Sequence, residues 1–138
     1  MKKILILTIT LFTLLSCSSN DDAISNSDPI IGKWQLNSET KNDTEVSTEC
    51  DRKNTLTFSE NGTLTDVNHE DNGNGCSSNS LTSTWENSGN SNYKITPTNG
   101  DSLTIQLIFS QNNTVFKHTR SETINGLTKT EVSTFNKI

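Results

Sequence analysis

From residue 29 onward, apolar and polar side chains alternate with a period of two. Ile30, Gly32, Trp34 and Leu36 share one face while Lys33, Gln35 and Asn37 share the other, and Leu56 and Phe58 alternate with Thr55, Thr57 and Ser59. An apolar set that returns at every second residue is that of a half-buried strand. The pattern recurs at Leu81, Ser83 and Trp85, at Tyr93 and Ile95, and at Leu103, Ile105, Leu107 and Phe109. Turn signals separate the runs: Ser88-Gly-Asn90, Asn99-Gly-Asp101, Gln111-Asn-Asn113 and Asn125-Gly126. Stretches 114–122 and 127–136 alternate less cleanly. Val115 and Phe116 are adjacent, and Val132 and Phe135 fall on opposite faces, which predicts a bulge or a strand buried on both sides. No segment carries a helical stripe.

Asn61-Gly62, set between Asn54–Glu60 and Thr63–Asn68, is a strong hairpin signal, and a two-residue turn there pairs positions whose numbers sum to 123. The whole pattern predicts an all-β fold: an antiparallel up-and-down meander of about eight strands that closes into a barrel, leaving no exposed edges. Small or polar groups expected on the inward faces, such as Ser83 and Thr128 or Thr130, would leave room inside it. Long polar loops are expected near 38–53 and 68–80.

The first seventeen residues have a different character. Lys2-Lys3 precedes a twelve-residue apolar run, Ile4 to Leu15, and then Ser16-Cys17. A cationic start, an apolar run of about 7 to 15 residues and a small residue at the cut make a secretory signal, and a membrane span would need roughly 20 apolar residues. Leu14 and Ser16 before Cys17 resemble the lipobox of bacterial lipoproteins. Residues 1–16 are therefore expected to be a signal peptide, with Cys17 the acylated first residue of the mature chain. Residues 17–28, with almost nothing to bury, are expected to be a flexible tether. Ser18 in place of an aspartate after the lipid site implies transfer to the outer membrane. Ser19 to Asp22 is similar to the surface-export signals of Bacteroidetes lipoproteins.

The remaining 29–138 segment is enough for one domain. Loss of residues 1–16 removes two lysines and leaves nine basic against sixteen acidic side chains, a net charge of −7. Scattered basic residues on so acidic a chain argue against a nucleic-acid partner. Few large apolar groups make for a small core, which benefits from a staple. Cys50 and Cys76 are the candidates, because export implies an oxidising compartment and Cys17 has used the odd cysteine. In the hairpin register above, residue 50 lies opposite residue 73, three positions from Cys76 in a flexible Asn-Gly run, so a disulfide is expected. Two free thiols are the alternative.

Ile31-Gly32-Lys33-Trp34-Gln35-Leu36, opening the first strand, resembles the Gly-x-Trp signature of lipocalins. Residues 29–138 resemble more closely the lipocalin-like domains of Bacteroidetes lipoproteins. The shared features are the Gly-x-Trp start, a Leu-x-Phe strand before Asn-Gly, and a Thr-x-Trp strand followed by Ser-Gly-Asn, a short strand and Leu-Thr-Ile. The resemblance implies a lipocalin-like barrel with Gly32 and Trp34 at its closed end, and a basic side chain from late in the chain packed against the tryptophan. Arg120 and Lys129 are the candidates for that side chain. Asp101-Ser102-Leu103 resembles an O-glycosylation acceptor of the same bacteria, with Ser102 the modified residue.

Candidate chemistry is sparse. There is no Gly-x-Ser-x-Gly, and His69 and His118 have no partner at a metal-ligand spacing. Asn68, Glu70, Asn72 and Gly73 echo the start of a calcium loop, but Asn79 stands where the bidentate glutamate belongs. No catalytic residue, metal or cofactor is expected, and the chain is not read as an enzyme. Two functions remain. The first is a membrane-anchored, monomeric barrel that holds a small hydrophobic molecule, with Trp85, Tyr93, Phe109 and Phe116 as candidate pocket residues. The second is a module that contacts a partner protein or glycan through its loops. A cavity of about 300 Å³ or more would favour the first, and a filled interior the second.

Overall fold

The computed structural model describes residues 27–138. The signal segment, Cys17 and all but the end of the 17–28 tether lie outside the described residues. The strands are β1 (Gly32–Lys41), β2 (Thr44–Glu45), β3 (Thr55–Phe58), β4 (Thr63–Asp71), β5 (Cys76–Gly89), β6 (Asn92–Pro97), β7 (Leu103–Ser110), β8 (Val115–Ile124) and β9 (Leu127–Lys137). Among the described residues the only helical element is the 3₁₀ turn Asp51–Lys53. All neighbours are antiparallel, and β1 pairs with both β3 and β9, so eight strands close into a barrel with β2 hairpinned onto the end of β1.

The turns follow the sequence signals, with two departures. Asn90-Ser91 and Asn125-Gly126 carry positive φ at both central positions, the geometry that matches the strand twist in two-residue hairpins. At Asn61-Gly62, however, Gly62 N donates to Ser59 O and Ser59 N to Thr63 O, which closes a three-residue loop with Gly62 left-handed at φ 81°. Paired positions therefore sum to 122, as in Phe58 opposite Leu64 and Leu56 opposite Asp66, rather than 123. The shift of one position changes which β4 side chains face inward. The second departure is that strand takes in most of the 68–80 stretch and the start of the 38–53 stretch, leaving 46–54 as the loop that carries the 3₁₀ turn. Asn42 and Asp43, both left-handed, turn β1 into β2, and β4 and β5 pair out to Asp71 opposite Cys76.

The expected irregularity is also displaced. The β8–β9 register runs unbroken from Val115 opposite Asn136 to Ile124 opposite Leu127, whereas β1 slips against β9 between Leu36 and Ser38. Thr128 and Thr130 pair with Thr123 and Ser121, on the face of β9 away from Ser133 and Phe135, so they do not face the interior. Ser83, half-buried opposite Leu64 and Pro97, does.

Cys50 and Cys76 are joined, with Cα atoms 5.4 Å apart, and the bond ties the 3₁₀ turn to the start of β5. Ile30, Trp34, Phe58, Leu64, Tyr93, Ile95, Leu107 and Phe116 form the core, so the buried mass is gathered toward one end of the barrel.

Candidate functional site

The closed end is built from aromatic side chains and sealed by the segment that leads into β1. Trp34, fully buried, has its ring centroid 4.7 Å from that of Phe116 in an edge-on contact, and its indole N–H donates to Ile30 O at 2.7 Å. Tyr93 donates its hydroxyl to Asp28 Oδ1 at 2.8 Å, and the same oxygen accepts from Ile30 N. Burial, reinforced by that carboxylate, pushes the Tyr93 phenol well above its ordinary range, so it remains a donor. Trp85 packs edge-on against Phe58 and donates to Ser59 O at 3.0 Å, which fastens β5 to the β3–β4 turn. Phe109 bridges Trp34, Tyr93 and Phe116.

The basic partner of Trp34 is Lys137, directly opposite it on β9, rather than Arg120 or Lys129. Its ammonium lies 5.1 Å from the indole centroid and donates to Pro29 O at 3.2 Å. Gly32 makes this possible: a Cβ at that position would sit 2.7 Å from Lys137 Cε. Arg120 and Lys129 instead line a charged hollow of about 300 Å³ with Lys41, Glu122 and Glu131.

Beyond the aromatic layer the barrel is hollow. A cavity of about 240 Å³ has Leu36, Leu56, Phe58, Ile105, Leu107, Phe116 and Phe135 as its apolar lining. Its polar lining is Glu39, Asn54, Asp66, Asn68, His118 and Ser133. Of the four aromatic residues expected on the wall, Phe116 is there. Trp85, Tyr93 and Phe109 belong to the layer beneath, where Trp85 packs on Tyr93, Tyr93 on Phe109 and Phe109 on Trp34, filling that half of the barrel. The volume also falls short of the 300 Å³ expected of a binding barrel.

The polar wall has a distinct electrostatic character. Burial raises the Asp66 carboxyl above its usual value, partly offset by the Asn68 side chain. Burial also raises Glu39, with Glu131 beside it adding to the effect, while bonds from Lys41 hold Glu131 down. Burial lowers His118, helped by Arg120 and opposed by Glu131, which favours the uncharged imidazole. Sequence reasoning missed Asp66, Glu39 and Phe58 as wall residues. The signal for Asp66 was the three-residue turn, which aligns it with Leu56.

The other predicted positions lie apart. Ser102 is exposed before β7, with its Oγ 2.8 Å from Thr96 Oγ1. His69 lines a polar hollow of about 420 Å³ with Asp51, Glu70 and Ser77, and its Nδ1 has no hydrogen-bond partner among the described residues. No set of three His, Cys, Asp or Glu side chains among the described residues converges as a metal site.

Residues 30–136 match the family model described as a lipocalin-like domain. Among solved structures, the chain is similar to the possum milk whey lipocalin trichosurin with bound 4-ethylphenol. The TM-score is 0.47 and the identity 15%, over 76% of this chain and 73% of that one. It is similar also to bovine odorant binding protein complexed with its natural ligand, with a TM-score of 0.47 and 15% identity over 82% of this chain and 74% of that one. No curated protein matches the sequence.

Proposed function

The chain belongs to the family of lipocalin-like domains, and from that premise we propose that its barrel carries a small, largely apolar molecule in the cavity above the aromatic layer. The observation that supports this reading is the cavity itself: about 240 Å³, floored by Phe58, Leu107 and Phe116. Empty apolar volume inside a protein forfeits dispersion contacts, and an apolar guest restores them. An engineered cavity of about 150 Å³ takes benzene, so the guest here is of the order of one substituted ring or a short branched chain. The function is carriage rather than catalysis.

The carrier is monomeric and is held at the outer membrane by an acylated Cys17 after removal of residues 1–16. Lys2-Lys3, the Ile4 to Leu15 run and Leu14-Leu15-Ser16-Cys17 support this. Among the described residues no helix is long and apolar enough to cross a membrane.

Native mass spectrometry of the protein, made from the full chain and exposed to a lipid-rich cell extract, tests the carrier function. The expected result is a discrete added mass that is lost on unfolding and absent from Leu56→Trp, whose indole would occupy the cavity. A bare mass for the parent protein would sink the reading.

A further inference from the structure

The charge on the cavity wall is one-sided. Asp66 stands between two apolar cross-strand neighbours, Leu56 on β3 and Leu81 on β5. The ion pairs among the described residues are Lys41 with Glu39 and Glu131, Arg52 with Glu45, and Lys94 with Glu86, so Asp66 has no cationic partner. Glu39, the other acid on the wall, already has Lys41 at 3.6 Å. His118 faces the same space, and its burial disfavours a charge there. A carboxylate half-withdrawn from water without a counter-charge is unfavourable, and a cation brought into the same space relieves part of that cost.

We propose that the cavity selects small amines, with the ring or chain of the ligand on Phe58, Leu107 and Phe116 and its ammonium on the carboxylate of Asp66. This rests on the carrier reading above and gives it a ligand class. The hydrogen bond from an ammonium to a half-buried carboxylate is charge-assisted, and Asn68 and Ser133, on the same wall, are further groups for the remaining N–H donors. The formal net charge of −5 for the whole chain favours the approach of cations over anions. An anion of the same shape would meet Asp66 and Glu39 across an apolar floor and be rejected.

The test is a charge series on one ring. Isothermal titration calorimetry uses the full chain in phosphatidylcholine nanodiscs, with empty nanodiscs as the blank. The probes are 2-phenylethylamine, 2-phenylethanol and 3-phenylpropanoate at pH 7. The amine is expected to bind roughly tenfold to a hundredfold more tightly than the alcohol, with the carboxylate weakest. Asp66→Asn is expected to abolish the preference for the amine over the alcohol, and residual binding of the alcohol reports an intact cavity. An alcohol that binds as tightly as the amine in the parent overturns the proposal and leaves the carrier reading standing. A preference for the amine that survives in Asp66→Asn overturns the role of Asp66. No binding of any probe overturns the amine proposal, and a bare native mass beside it would remove the carrier reading as well.

Discussion

Gly32→Ala tests whether the glycine of the Gly-x-Trp motif is there to let Lys137 lie across Trp34. The substitution has two separable costs. At φ 131° an L side chain is strained, at about 1–3 kcal/mol. The new methyl also meets Lys137 Cε, which is the far end of a flexible side chain, so the lysine swings away instead of the backbone moving. The second cost is then what Lys137 forfeits. An exposed cation–π contact is worth about 0.5–1 kcal/mol and the hydrogen bond to Pro29 about 1 kcal/mol, so the loss is about 1–2 kcal/mol. Gly32→Ala should therefore cost about 2–5 kcal/mol, Lys137→Ala about 1–2, and the double variant no more than Gly32→Ala alone. The coupling of about 1–2 kcal/mol is measurable by urea unfolding followed through tryptophan fluorescence. Additive costs, with coupling below about 0.5 kcal/mol, would refute the argument that Gly32 serves the lysine.

Three other outcomes are expected. Replacing both Cys50 and Cys76 by serine should lower stability by about 3.5 kcal/mol on the chain-entropy model for a separation of 26 residues, and a urea midpoint unmoved from that of the oxidised parent would contradict the staple. Burial raises the Asp66 carboxyl in the folded state, so the folded protein binds its proton more tightly than the unfolded chain does. Stability from this group is thus present below the ordinary carboxylate value and lost as pH rises through the raised one. Asp66→Asn, without ligand, should melt higher than the parent at pH 7 and lose that advantage toward pH 3, and parallel melting curves across the range would be the wrong result. In a Gram-negative host, metabolic palmitate labelling should mark the parent and not Cys17→Ser, and a variant still labelled would move the acylation elsewhere.

The strands were legible because a barrel wall has one wet and one dry face, and Trp34 and Leu36, or Ile105, Leu107 and Phe109, record this directly. Registers were less so. Asn61-Gly62 signals a turn in either a two- or a three-residue loop, and the difference rests on the conformation of Gly62, which composition does not encode. A slip of one position hid Asp66, because it moved that residue to the solvent face on paper. Asn42-Asp43 turns a hairpin without glycine, since both residues tolerate the left-handed region, and so the stretch from 38 to 45 read as loop. Lys137 was passed over for a different reason. Its partnership with Trp34 exists only once β9 returns to β1, a contact across 103 positions that no local pattern announces. For the aromatic residues, periodicity gives the face of a strand and not the height along it. Height decides whether a ring is floor or wall.

The chain enters the barrel at its sealed end, where Asp28 is held by Tyr93 and Asn87 and Ile30 lies beneath Trp34. An anchor at Cys17, reached through the flexible tether, would therefore attach at the base of the vessel and leave its mouth clear of the attachment point, free to face away from the bilayer. Cargo would then be exchanged with the surrounding fluid instead of being drawn sideways from the lipid. A molecule bearing a positive charge, which partitions poorly into hydrocarbon, suits a receptacle facing that way.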